Sequence, residues 1–379
     1  MNAEPSLDPQ RRVYFLSGFD PRGGGHYYRL FTEQLRCHGQ QRGRSMKLGR
    51  RRGDGDDLLS RWTIRDGSER MLELAFLHWD DIARSNWPRH PLPLLWDGCR
   101  FAWWYLLQGG LIRIARMSPS VALCGAYPVL FAALAGAVML ICGWLLLSLT
   151  TALGVWPMLA AGLSVMVMAG LAVQAWRLAE SLGVVWLFRS IRFTHVLGQA
   201  RDQGLRERVR LLAQRLLALE RECPAGELLL VGHSSGSFVM AMLAAELRRQ
   251  PEWQHLMPRL RLLSLGQNLA NLAVHRQARE FHQDLIDLAA EPRPAWLDIT
   301  SRDDYLCFAA VDPYPSCGVP RQGPEAYPEL RLIPLAQRQG LSRLVDLLSH
   351  QFDLHFEYLR TAEPGRSGGF DLIELLLAP

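Results

Sequence analysis

From Met117 to Trp176 the chain runs for about sixty residues without a charged side chain. A helix pair in a soluble protein turns one face to water, so its sequence carries a polar stripe. This run has none. A hydrocarbon core about 30 Å thick takes roughly 20 helical residues to cross. The run therefore predicts two crossings and a turn, the first over Val121 to Leu149 and the second over Trp156 to Trp176. Thr150 to Pro157 supplies turn residues, with Trp156 at the interface. Ala132, Ala133, Ala135, Gly136, Gly162 and Gly170 are the small residues expected to let the two helices approach.

Arginines set the orientation. Arg113 and Arg116 precede the hairpin, Arg177, Arg189 and Arg192 follow it, and the turn between the spans has no positive charge. Both polar parts of the chain are then expected on the cytoplasmic side of the membrane, the inner membrane if the cell is bacterial. The preceding segment, with Trp96, Phe101, Trp103, Trp104 and Tyr105, suits either the bilayer interface or a lid of the soluble part.

A net charge of +5 raises the question of nucleic acid. The positive charge is almost all arginine, Lys47 being the only lysine. The basic residues near the N-terminus accompany no nucleic-acid motif, and basic flanks on a membrane protein commonly meet anionic lipid. The seven cysteines are odd in number and scattered, with no paired spacing for a disulfide framework or a zinc site. Met1 to Gln10 lacks an apolar run, so no cleaved signal peptide is expected.

On either side of the insert, strand-like and helix-like segments alternate. Strands are predicted at Val13–Leu16, Met71–His78, Glu227–Val231, Leu260–Leu265, Ala295–Thr300 and Leu330–Leu335. Helices are predicted at His26–Cys37, Arg206–Glu222, Ser237–Arg249, Ala278–Ala290 and Leu341–Leu348. Nearly continuous apolar strands separated by helices indicate a mostly parallel sheet covered on both faces, an α/β fold. The organisation expected is residues 1–92 as the first part of that domain, 93–195 as the membrane insert and 196–379 as the second part.

Gly232-His233-Ser234-Ser235-Gly236 follows the buried strand candidate and opens a helix beginning near Ser237. Glycines flanking a serine there allow a sharp turn and a close helix–strand approach. From Leu228 through Ala245 the sequence resembles the nucleophile elbow of the α/β-hydrolases, the superfamily of lipases, esterases and thioesterases. The resemblance implies Ser234 as nucleophile, followed in chain order by an acid and a histidine. Asp304, in the loop after Ala295–Thr300, fits the acid. Asp303 is its runner-up, and Asp298 lies within the strand. His355 fits the base, with His350 as the alternative.

The resemblance also implies an oxyanion hole from the Ser235 amide and one amide of the early loop, here assigned to Phe19. The glycines at 23 to 25 lack the lysine of a phosphate-binding loop. His78-Trp79-Asp80-Asp81 cannot turn all its donors onto one ion, so neither metal nor cofactor is expected. The function implied is cleavage of an ester or thioester, with a lipid-like or acyl substrate. The alternatives are an acyltransferase using the same three residues and a non-catalytic membrane scaffold.

Overall fold

The computed structural model describes residues 9–67, 71–201, 204–335, 352–361 and 370–378. The chain starts with β1 (Arg11–Leu16) and α1 (Gly23–Arg42). Short strands β2 (Lys47–Leu48) and β3 (Arg52–Gly53) lead into β4 (Leu59–Arg65) and β5 (Met71–Leu77). Helices α2 (Asp80–Ser85) and α3 (Pro91–Ala102), a π-helical turn (Trp103–Leu107) and α4 (Gly110–Met117) precede the apolar pair α5 (Pro119–Ala152) and α6 (Pro157–Ser181). Then come α7 (Val184–Gly198) and α8 (Leu205–Glu222). The second half holds β6 (Glu227–His233), α9 (Gly236–Arg248), α10 (Trp253–Leu256), β7 (Leu260–Leu265), α11 (Leu269–Ala273), α12 (Arg279–Ala289), β8 (Ala295–Thr300) and β9 (Glu329–Leu332).

These strands form one mixed sheet of nine, in the order β2-β4-β5-β1-β6-β7-β8-β9 with β3 paired to β4. From β5 to β9 every pairing is parallel, and β4 joins β5 antiparallel. Successive side chains of a strand point to opposite faces, so a strand buried on both sides reads as unbroken apolar sequence. In β1, Tyr14 and Leu16 enter the core shared with α8, α9 and α12, while Val13 and Phe15 enter the core under α1. In β6, Leu228 and Leu230 take the first face, Leu229 and Val231 the second. Each fully buried large apolar side chain contributes roughly 1.5–3 kcal/mol.

Chain order along the sheet creates the crevice that matters. From β1 the chain crosses to β5 on one side, and later returns to lay β6 on the other. The loops leaving the carboxyl ends of β1 and β6 therefore diverge, and the space between them is where open α/β sheets place ligands. Beneath the hairpin, α3, the π-turn, α4, α7 and the foot of α5 share a third core with Ala270, Val274, Phe308 and Val311. It covers that end of the sheet.

Two helices are long and apolar enough to cross a membrane. α5 has 34 residues and α6 has 25, rising about 51 Å and about 38 Å. Leu134, Leu140, Trp144 and Met166 are each at least 65% exposed, a surface that water does not favour. The small residues expected at the helix contact mostly face away from it. Ala132 and Ala133 are exposed, and a Cβ at Gly136, Gly162 or Gly170 meets nothing within 4 Å. The close approach is instead at Gly143, where a Cβ would come 2.5 Å from Met168 Sδ, with Ala160 and Ser164 buried nearby along α6.

Candidate active site

Ser234 stands at the turn between β6 and α9 with φ of +55°, a left-handed conformation that a non-glycine residue adopts at a cost. Its neighbours show why the turn must close so tightly. A Cβ on Gly232 would come 2.5 Å from the Gly236 carbonyl oxygen, and one on Gly236 would come 2.4 Å from that of Leu16. Both obstacles are backbone and cannot swing aside. Gly236→Ala is expected to cost more than about 3 kcal/mol, the range of severe overpacking. A thermal melt in detergent checks this, and a melting temperature within 2 °C of wild type would contradict the packing described, on the scale of roughly 2–4 °C per kcal/mol.

The serine hydroxyl begins a hydrogen-bonded chain. Ser234 Oγ lies 2.7 Å from His355 Nε2, and His355 Nδ1 lies 2.8 Å from Asp304 Oδ2. All three residues are buried, Asp304 and His355 to 1% exposure. A carboxylate only accepts, so Nδ1 carries the hydrogen and Nε2 is free to accept the serine proton. Burial alone would raise the Asp304 carboxyl, but His355 and the Leu306 amide outweigh it and hold it below the usual carboxylate range.

The other acids stand elsewhere. Asp303 accepts from the Ser301 hydroxyl and the Leu335 amide, tying its loop to the chain after β9. Asp298 is sealed in the sheet against Ser264 Oγ, where burial pushes its carboxyl up to about 8. His350 lies outside the described residues. His233 donates from Nε2 to the backbone carbonyl of His355 at 2.9 Å. Burial and the neighbouring His355 push His233 down to about 3, so it stays neutral and braces the turn that carries His355.

Asn268 is a site residue that sequence reasoning missed. Strand pairing sets His233 opposite Leu265, and the Ser234 amide donates to the Leu265 carbonyl. The loop after β7 thus runs beside the serine, and Asn268 Nδ2 donates to Ser234 Oγ at 3.2 Å. Asn268 is anchored through its own amide on Ser237 Oγ, and Ser237 Oγ donates to the Ser234 carbonyl. No local spacing announces this asparagine. Only the adjacency of β6 and β7 brings it there.

The loop after β1 closes the other side. A Cβ on Gly18 would lie 3.1 Å from Ser234 Cβ, so this backbone rests directly on the serine. Asp20, buried and held ionised by Arg22, accepts from Arg22 and Tyr27 and shapes the loop. The Phe19 ring stacks on Phe193 at 4.6 Å and on Trp87 at 5.5 Å. Neither the Phe19 nor the Ser235 backbone amide makes a hydrogen bond among the described residues. The following glycines open α1, and Gly24 leaves room for the His78 ring.

A cavity of about 50 Å³, room for a few waters, reaches Ser234 and His355. One wall is the foot of α5, with Val121, Cys124 and Gly125. Tyr105 fastens that foot by donating to the Ala122 carbonyl.

A second set of the same residue types shows what the first adds. His78 bridges Ser60 Oγ and Asp80, each at 2.8 Å. Ser60, however, is buried as the second residue of β4, paired across to β5, and opens no helix. Asp81 meanwhile pairs with Arg208, so the donors of this segment point apart. His38, Asp371 and Glu374 lie close enough to share an ion, but Arg42 already pairs with Glu374. No protein-family model matches the chain, and neither a curated protein nor a solved structure does.

Proposed function

We propose that the chain is a membrane-anchored serine hydrolase of the α/β-hydrolase type, cleaving a carboxylic ester or thioester through an acyl-Ser234 intermediate. The observation that carries this reading is the strained turn at Ser234 joined to the hydrogen-bonded chain through His355 to Asp304. His355 Nε2 takes the serine proton as Oγ attacks the carbonyl carbon. The same nitrogen returns the proton to the departing alcohol or thiol, and water then releases the acid by the reverse sequence. Asp304 keeps the imidazole in the accepting tautomer and stabilises the cation that forms. The free amides of Ser235 and Phe19 are the donors for the developing oxyanion.

The foot of α5 in the cavity wall favours an acyl or lipid-like substrate, since a chain bound there meets the membrane helix directly. Fluorophosphonate labelling tests the nucleophile. Wild-type protein is expected to be labelled and Ser234→Ala to stay unlabelled. A folded wild type that remains unlabelled sinks the reading.

The arginine distribution supports a soluble domain on the cytoplasmic side. A cysteine at Leu153, in the turn between α5 and α6, is then expected to react with an impermeant maleimide from outside intact cells, while exposed Cys99 reacts only after lysis. The opposite pattern reverses the orientation.

A further inference from the structure

Beside Ser234 the cavity changes character. Most of its lining is apolar, yet His195, Asn271 and His275 also face it. No side-chain hydrogen bond of these three exists among the described residues, and Nδ1 of both imidazoles is shut off from solvent without a partner. Buried polar groups are normally paired, so such a cluster calls for an explanation. The surroundings hold the rings in place rather than satisfy them. His275 is 3% exposed and stacks on Trp104 at 4.2 Å, and His195 lies 5.2 Å from the same indole and 5.3 Å from His275. A Cβ at residue 198 would come 2.3 Å from His275 Cγ, so only glycine there leaves the imidazole its room.

We propose that His195, Asn271 and His275 form a polar subsite that receives the hydroxyl groups of a small uncharged polyol. Resting on the serine-hydrolase reading, this makes the substrate an acyl ester of such a polyol, with the polyol as leaving group. A neutral imidazole offers one donor and one acceptor, and a primary amide offers both. That matches hydroxyls, which also do both. Burial pushes His195 down to about 4 and holds His275 well below the usual imidazole range, so both rings are neutral near pH 7. A charged head group fits poorly. The cavity lining contains no lysine, arginine, aspartate or glutamate, and a buried phosphate without a counter-charge is strongly disfavoured. Arg113 is near, but it lies over the Trp104 ring and donates to the Gln108 carbonyl.

Binding can be read without turnover. Full-length Ser234→Ala protein in nanodiscs is titrated with three non-hydrolysable ethers of one alkyl chain, ending in glycerol, propyl or glycerol phosphate, and the melting temperature is followed. The glycerol ether is expected to half-saturate at about tenfold lower concentration than the propyl ether, the effect of one or two hydrogen bonds. Adding His195→Phe with His275→Phe is expected to erase that preference, while His275→Gln, which keeps a donor and an acceptor, retains part of it. Should the double variant fail to fold, His195→Phe alone is expected to reduce the preference by several fold. Equal binding of glycerol and propyl ethers, tighter binding of the phosphate ether, or an unchanged preference in a folded Phe variant overturns the subsite. If the preference holds while wild-type protein resists fluorophosphonate, the catalytic reading falls and the subsite stands.

Discussion

Replacing Ser234 by glycine is expected to abolish turnover and, against the alanine variant, to raise stability by about 1 kcal/mol. Both substitutions remove the hydroxyl that bonds His355 and Asn268, so that loss is common to the two. What separates them is the backbone. At φ of +55° a Cβ is disfavoured by roughly 1–2 kcal/mol, and glycine escapes this while giving back part of the gain as unfolded-state entropy. The melting temperature of the glycine variant is expected to lie roughly 2 °C above that of the alanine variant. Turnover in both is expected to fall by about 10⁴- to 10⁶-fold. A residue held in strain only for structure would give the same stability order without the loss of activity. An alanine variant as stable as the glycine variant would remove the argument that the turn stores strain at a working residue.

The parts legible in the sequence share one property: each carries its signal within a few consecutive residues. The two membrane-length helices announce themselves by missing charge. β7 and β8 occupy the ranges their apolar runs predict, and β6 extends only to His233 at the turn. β4 is absent from the predicted strands because consecutive polar residues break the pattern in Leu59-Ser60-Arg61-Trp62-Thr63-Ile64-Arg65, and it pairs antiparallel beside the parallel block. Ser234, Asp304 and His355 came forward through the resemblance of Leu228 to Ala245 to a nucleophile elbow and the chain order of serine, acid and histidine that it implies, and the three lie in one hydrogen-bonded chain. Asn268, Asn271, His195 and His275 have no such order. They meet through the register of β6 on β7 and through the packing of α7 and α11 under the hairpin, both of which are set by contacts far apart in sequence. His233 stands in the motif, but its bond to the His355 carbonyl joins segments far apart in sequence.

Asp304→Asn is expected to lower turnover by about 10⁴-fold while leaving the protein folded. The size follows from the tautomer rather than from lost charge alone. Asp304 Oδ2 accepts the Nδ1 hydrogen of His355, which leaves Nε2 unprotonated toward Ser234. An asparagine can turn its amide N–H toward Nδ1, moving the ring hydrogen to Nε2, where it blocks proton transfer from the serine. Asp303→Asn is the control, because that carboxylate serves Ser301 and Leu335 and is expected to change turnover by no more than a few fold. Comparable losses in both variants would mean that the loop, not the tautomer, limits the reaction. Stability offers an independent check. The folded Asp304 carboxyl is held below its unfolded value of about 3.9, so its contribution is complete above that value and is lost as pH falls through the lower, folded one. The stability of wild type relative to Asp304→Asn should therefore be flat from neutral pH down to about pH 5 and shrink below about pH 4. A gap that widens with acid would place the folded carboxyl on the other side of its unfolded value, and His355 would then lack the anion that fixes its tautomer.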